Sequence, residues 1–219
     1  MTGVQTCALP ISYGYLDTWH GVATALLLPM FVVGLVRSRH LVDLRDGSVF
    51  RVAGRLPDLT TRHGLGRAVL LAGAAGVALA GLEILRIGTT GVFVPQDFGY
   101  LGVHAAHLHT VSPRLIPLIA HDRAGFGSAV FVTGLTAFGC LWNTTTTRTT
   151  WPTLWRVLLI AGVPALTAAI GIHFVVGYVN LWHLAPAVAG AVSLAIGLAL
   201  SRPTSALPTY QPAELQSGG

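Results

Sequence analysis

The stretch VLLIAGVPALTAAIGIHFVVGYVNLWHLAPAVAGAVSLAIGLALS, residues 157–201, decides the fold, because its 45 residues include no Asp, Glu, Lys or Arg. A membrane-spanning helix needs about 20 apolar residues, so this stretch is too long for one helix. The group Gly177-Tyr178-Val179-Asn180 supplies turn residues near its middle. The pattern therefore predicts a tight hairpin of two spanning helices over 155–177 and 180–200.

The composition points to a membrane protein rather than to a soluble domain. Of the 219 residues, 53% are hydrophobic and only 10% are charged, whereas an ordinary globular chain has about 25% charged residues. This balance excludes a disordered chain, a collagen, a coiled coil and a disulfide-stapled secreted domain. Three further apolar windows predict spanning helices over 18–36, 67–87 and 124–142. The predicted fold class is all-α, a polytopic membrane helix bundle of about five transmembrane helices.

The distribution of arginine predicts the orientation of this bundle. All thirteen basic residues are arginine, which is typical of a GC-rich bacterial genome; seven lie in the loop Arg37–Arg67 and only two in the connection Gly88–Arg123. Loops rich in positive charge stay on the cytoplasmic side, so we expect an outside N-terminus and an inside C-terminus in a bacterial inner (plasma) membrane. The same rule accounts for the net charge of +5 without a nucleic-acid partner.

Two terminal segments are not expected to belong to the folded domain. Residues 1–12, MTGVQTCALPIS, resemble a translated sequencing-library adapter, so we interpret them as an artefact and expect part of the native N-terminus to be missing. Residues 203–219 are rich in Pro, Ser and Gln without apolar periodicity, which predicts a disordered cytoplasmic tail. A single transmembrane domain is thus expected over residues 13–202.

Small residues recur every four positions in three of the predicted spans. Such rows let membrane helices approach closely, so we expect them to face the inside of the bundle. The rows are Ala72, Gly76 and Ala80; Ala161, Ala165 and Ala169; and Ala189, Ser193 and Gly197.

Ionisable side chains collect at the predicted outer boundary of the membrane. His173 continues the alanine row of its span by one more step of four, and Glu83 lies seven residues beyond Gly76, so both are expected to face inward. Inward-facing ionisable groups are costly in a membrane and indicate function. The layer comprises His20, His104, His107, His109, His121, His173 and His183 with Asp17, Glu83, Asp97 and Asp122.

Less specific interpretations stand beside this one. Glu83 and Arg86 are spaced i, i+3 and pair with each other on a helix surface in many proteins. A single histidine near a helix end is often an amphipathic residue at the membrane interface. The HAAHLH tract, His104–His109, binds metal adventitiously if it lies in an outer loop.

The segment SPRLIPLIAHDRAGFG, residues 112–127, is the most distinctive stretch. Ser112 followed by Pro113 predicts a helix start, with serine at the N-cap and proline at the first helical position. Adjacent residues on a helix do not face each other, so we expect the partner of His121 to come from another span rather than from Asp122.

The strings IAHDRAGFG, at residues 119–127, and GIHFVVGYVNLWHLAPA, at residues 171–187, resemble a group of uncharacterised bacterial multi-span membrane proteins. The resemblance covers roughly residues 93–203. It implies a topology and a role for His121, Asp122, His173 and His183, but no reaction.

The leading functional hypothesis is a membrane metalloprotein with its site at the extracytoplasmic face. Imidazole and carboxylate ligands together suit zinc or non-haem iron. We predict His121, His173 and His183 as ligands, with Asp122 or Glu83 as base, fourth ligand or supporting group. Haem held by two of these histidines is an alternative cofactor.

Two other classes compete, and whether the protein is an enzyme stays open. A small membrane transporter is suggested by Pro29, Pro164 and Pro186, because prolines can break helices and so line a substrate site. A non-enzymatic membrane subunit or assembly factor would use its small-residue faces for a membrane protein partner or a second copy.

Overall fold

The structure is a computed structural model that describes residues 56–144 and 150–204, together with scattered positions between 22 and 36. All regular structure in these residues is helical. The chain divides into two compact units, residues 1–53 and 54–219. Within the first unit, the described positions, among them residues 25–30, are helical. The predicted artefact, the predicted tail beyond 204, His20 and Asp17 lie outside the described residues.

Among the described residues of the second unit there are four long helices and two short ones. The short helices form most of the connection between the first two long helices. In chain order they are α1 (Arg62–Thr89), α2 (Pro95–Leu101), α3 (Ala105–Val111), α4 (Leu115–Asn143), α5 (Thr150–Val175) and α6 (Leu181–Leu200).

The long helices α1, α4, α5 and α6 are each long and apolar enough to cross a membrane. Each overlaps one of the predicted spans, although α1 and α5 begin five residues earlier than predicted and α4 begins nine residues earlier. The predicted hairpin is confirmed: α5 and α6 are joined by a short turn in which Gly177 adopts a positive φ of 73°. Both helices continue through their internal prolines, Pro164 and Pro186, rather than breaking there. The fifth span, 18–36, stays a prediction because it falls mainly outside the described residues.

The predicted helix start, with Ser112 as N-cap, is wrong by two residues, since Arg114 is the N-cap. Helix α3 continues as far as Val111, so Ser112 follows it in an extended conformation and accepts a hydrogen bond from the backbone N–H of Arg114 (3.2 Å). Helix α4 begins at Leu115 and runs unbroken through His121 into the predicted span. The segment around His121 is therefore helical.

The main interface of the bundle is an antiparallel seam between α1 and α4. Its buried residues recur every seven positions on both helices, a repeat that keeps one face directed at a partner helix. On α4, a Cβ atom added to Gly127 or Gly134 would collide with backbone atoms of α1, so the two backbones touch directly. The buried seam residues are Arg67, Ala74, Gly81 and Gly88 on α1 and Ala120, Gly127, Gly134 and Leu141 on α4.

The predicted four-residue rows mostly do not form this interface. Ala72 and Gly76 are exposed, as are Ala161 and Ala165 on α5. The face of α1 that contacts α4 is a different one. It carries Ala74 and Gly81, and its buried residues recur every seven positions rather than every four. Part of the third row is confirmed, since Ser193 lies against Gly73 and Gly197 lies against Leu70.

One end of the seam is closed by a buried arginine. Arg67 donates through Nε and Nη2 to the carbonyl of Leu141 (3.0 and 2.8 Å) and through Nη2 to that of Trp142 (2.9 Å). These carbonyls belong to the last turn of α4, where the helix dipole favours a cation. The same end carries Trp151, which is completely buried and donates to the carbonyl of Ser201 (2.6 Å).

We predict that Gly134→Ala destabilises the bundle whereas Gly139→Ala does not. The added methyl group at residue 134 meets the backbone of Ala78, but at residue 139 it meets nothing within 4 Å. Overpacking of this kind costs about 1–3 kcal/mol. Thermal unfolding of both variants in detergent measures the difference, and equal stabilities would contradict the direct backbone contact.

Candidate functional site

The buried carboxylate of Asp97 organises the end of the bundle opposite Arg67. Its side chain is only 7% exposed and forms an ion pair with Arg123 (Nη1–Oδ2, 2.8 Å). Oδ2 also accepts the backbone N–H of Val94 (2.9 Å), and Oδ1 accepts the hydroxyl of Tyr178 (2.8 Å). One carboxylate thus joins α2, α4 and the turn between α5 and α6.

Local sequence explains why Asp97 occupies this position. Pro95 begins α2, a position that proline favours because it has no N–H to leave unpaired. Asp97 follows two residues later in the first turn and bonds back to the residue before the helix. Arg123 completes the connection by donating to the carbonyl of Val92 (2.7 Å) as well as to Asp97.

The ionisation of this cluster follows from its contacts. Burial acts to raise the pKa of Asp97, but the hydrogen bonds from Arg123, Val94 and Tyr178 and the charge of Arg123 hold that pKa below its ordinary value. Burial, the hydrogen bond to Asp97 and the negative charge of Asp97 raise the pKa of Tyr178 to about 12. Asp97 is therefore a carboxylate and Tyr178 a neutral phenol near neutral pH.

Two imidazole rings lie next to this phenol. His173, in the last turn of α5, and His183, in the first turn of α6, have ring centroids 5.2 Å apart. The ring of Tyr178 is 4.8 Å from that of His183 and 6.1 Å from that of His173. The hairpin turn that the sequence predicted therefore brings together two of the predicted site residues.

The hydrogen bonding of His173 selects one tautomer of its ring. Nδ1 lies 2.7 Å from the carbonyl oxygen of Ala169. A carbonyl only accepts, so Nδ1 carries the proton and the neutral ring has its lone pair on Nε2. His173 thus presents a nitrogen that can accept a proton or bind a cation. His183 is held in place through its backbone, because Asn180 Oδ1 accepts its N–H (3.2 Å).

The other predicted site residues, His121, Asp122 and Glu83, each pair with a near neighbour in the sequence. His121 Nδ1 lies 3.0 Å from Oδ1 of its neighbour Asp122, so the expectation that these two do not meet is wrong: the exposed side chains bend toward each other. Glu83 pairs with Arg86 through two hydrogen bonds, as the i, i+3 spacing allows. Glu83 is exposed, because the face that it shares with Gly76 points away from the seam.

The histidine tract HAAHLH coincides with α3. His104 precedes the helix as its N-cap residue and contacts the ring of Phe98. His107 and His109 are exposed on the helix. The tract therefore lies on the surface of the connection between α1 and α4.

The predicted three-histidine metal site is not assembled in this geometry. Among the described residues, no three His, Cys, Asp or Glu side chains are placed to hold one metal ion. The His173 and His183 rings supply two nitrogen donors, one fewer than the protein ligands usual in catalytic zinc sites. Zinc, iron and haem stay predictions.

The predicted site residues do not include Asp97, Arg123 or Tyr178. The predicted outer layer includes Asp97 without a specific role, and the predicted turn includes Tyr178. The available signal was the Pro95-Gln96-Asp97 start of a helix, because an acidic residue two positions after a proline caps a first turn. Its pairing with Arg123, 26 residues away, depends on tertiary structure.

Comparison with known proteins gives no match to a family model, a curated protein or a solved structure. The resemblance to bacterial multi-span proteins stays a prediction.

We predict that Asp97→Asn lowers the unfolding free energy by about 3 kcal/mol at pH 7, because it leaves the Arg123 guanidinium without its charge partner. Asp122→Asn, at a side chain that is 71% exposed, is the matched control and should change stability by no more than about 0.5 kcal/mol.

The effect of Asp97 on stability also has a defined pH dependence. Its folded-state pKa lies below the ordinary 3.8, so its contribution is complete above pH 3.8 and is lost as the pH falls through the folded-state value. The difference in unfolding free energy between wild type and Asp97→Asn should therefore become smaller only in acid. Thermal unfolding at several pH values tests this, and a gap that widens in acid would contradict the ion pair.

Proposed function

We propose that the chain is an integral membrane protein whose function resides in the His173–His183 pair. The pair binds a small molecule or lipid headgroup that carries an exchangeable proton, and Nε2 of His173 accepts that proton. The observation that carries this proposal is the Nδ1 contact of His173 with the Ala169 carbonyl, beside a second imidazole. Among the described residues, no group of three His, Cys, Asp or Glu side chains could hold a metal ion, and an imidazole with a free ring nitrogen suits general acid–base chemistry.

In this proposal Asp97 and Arg123 are positioning residues. They hold the hydroxyl of Tyr178 through Asp97 Oδ1, and Tyr178 supports the ring of His183. Because the pKa of Tyr178 is raised to about 12, the phenol stays neutral and keeps donating to Asp97. The proton acceptor is therefore an imidazole and not the phenol.

The tautomer of His173 provides the direct test. Selective ¹⁵N labelling of histidine should show a neutral ring protonated at Nδ1, and His173→Gln should remove that signal. His109→Gln, at an exposed histidine of α3, is the control and should leave the signal in place. A ring protonated at Nε2 would overturn the proposal, because the lone pair would then face the Ala169 carbonyl.

A transition-metal site, zinc or iron, is the second candidate. Metal-binding histidines usually donate their other ring N–H to a carbonyl or carboxylate, and His173 makes that contact. His183 would be the second ligand, with the remaining positions left to a bound molecule. One equivalent of Zn²⁺ should then shift the Nε2 signal of His173, and the shift should vanish in His183→Gln. If no shift occurs at one equivalent, the metal candidate fails while the acid–base proposal stands.

We further propose that the His173–His183 pair faces the outside of a bacterial inner membrane. The segment Arg37–Arg67, which leads into α1 and includes its first residues, carries seven arginines, and segments of this kind stay on the cytoplasmic side. In a background without cysteine, an impermeant thiol reagent on intact cells should label Val111→Cys, near the Asp97 end. Thr204→Cys, after α6, should be protected. Labelling of Thr204→Cys alone would overturn this orientation.

A further inference from the structure

We propose that the groove between α5 and α6 binds one acyl chain of an anionic phospholipid, whose phosphate contacts Arg202. This lipid groove is lined by apolar side chains of both helices and ends at Arg202. It is separate from the His173–His183 pair and does not depend on the proposed function.

The packing of α5 leaves this groove open. Its main partner is α6, and its contacts with α4 and α1 are minor. None of the apolar window of α5 is buried, in contrast to those of the other three long helices. In a bilayer, apolar surface of this kind is covered either by lipid or by protein.

The shape and lining of the groove suit a hydrocarbon chain. It has a volume of about 510 Å³, and its lining residues on α5 extend from Trp155 to Ile170. Fifteen residues of helix at a rise of 1.5 Å correspond to about 22 Å, which exceeds the ~15 Å half-thickness of a bilayer core. Its walls include Leu159, Val163 and Leu166 on α5 and Leu194 and Leu198 on α6.

The charge at the end of the groove selects the headgroup. Arg202 lines that end and is exposed, and Arg62 donates to the carbonyl of Ala199, another lining residue (3.3 Å). None of the described lining residues is acidic. The guanidinium group of Arg202 at one end of an apolar groove is complementary to a lipid phosphate.

Trp155 marks the depth at which the headgroup should lie. Its indole nitrogen donates to the carbonyl of Leu198 (3.0 Å), and its ring lines the groove at the Arg202 end. Tryptophan is enriched where a membrane meets water. The polar end of the groove therefore coincides with the expected level of phosphates.

Native mass spectrometry of the detergent-purified chain tests the proposal, with dioleoyl phosphatidylglycerol as the anionic probe and the matching phosphatidylcholine as the zwitterionic one. One phosphatidylglycerol should bind per chain more tightly than phosphatidylcholine. Arg202→Gln should weaken binding of phosphatidylglycerol about fivefold, the value of one surface arginine near anionic lipid. Arg114→Gln removes an exposed arginine beyond the other end of the bundle. It is the control for net charge and should leave the binding of phosphatidylglycerol unchanged.

A second pair of variants tests the acyl chain. Ala195→Phe fills the groove and should reduce binding, whereas Ala161→Phe, an exposed alanine of α5 outside the lining, should not. Three results would overturn the proposal. They are equal affinity for both lipids, an equal loss of phosphatidylglycerol affinity in Arg202→Gln and Arg114→Gln, and unchanged binding in Ala195→Phe. Displacement of the lipid by inorganic phosphate would also overturn the proposal, because the affinity would then come from the phosphate contact and not from the groove.

Discussion

The direct backbone contact between α1 and α4 is the constraint on which the rest of the bundle depends. Gly127 and Gly134 have no room for a Cβ atom because α1 lies against them. With two helices this close, the side chains at the ends of the seam reach across to the partner backbone. Arg67 thereby reaches the last carbonyls of α4, and at the other end Gly88 lies against Ala124, next to Arg123.

The two ends of the seam neutralise buried charge in different ways. Arg67 has no carboxylate partner among its recorded contacts and is satisfied by carbonyl oxygens at a helix C-terminus, where the dipole supplies partial negative charge. Asp97 is satisfied by Arg123, a backbone N–H and a phenol. A buried charge without such partners would cost several kcal/mol, so these contacts also fix where each end of the bundle can lie.

The α5–α6 hairpin carries the imidazole pair. Packing of α6 against α1 and side-chain contacts near both ends of the hairpin attach it to the remainder of the unit. Near one end, Tyr178 donates to Asp97 and Tyr100 donates to the carbonyl of Val176. At the other, the ring of Trp151 contacts that of His63. Lipid removes the hydrophobic driving force for helix association, so contacts of this kind and close packing hold membrane helices together. The histidine pair is therefore attached to the bundle through the Asp97 cluster.

The sequence alone determined the all-helical class, the positions of four long helices and the hairpin that joins His173 to His183, because hydrophobic length and turn residues are local properties. It also allowed the Glu83–Arg86 pair, which depends only on helical spacing. Which face of α1 is buried was decided by tertiary structure, since a four-residue row and a seven-residue row are both compatible with one helix. The roles of Asp97, Arg123 and Tyr178 were decided in the same way, because their contacts join distant segments whose approach depends on backbone packing at the seam.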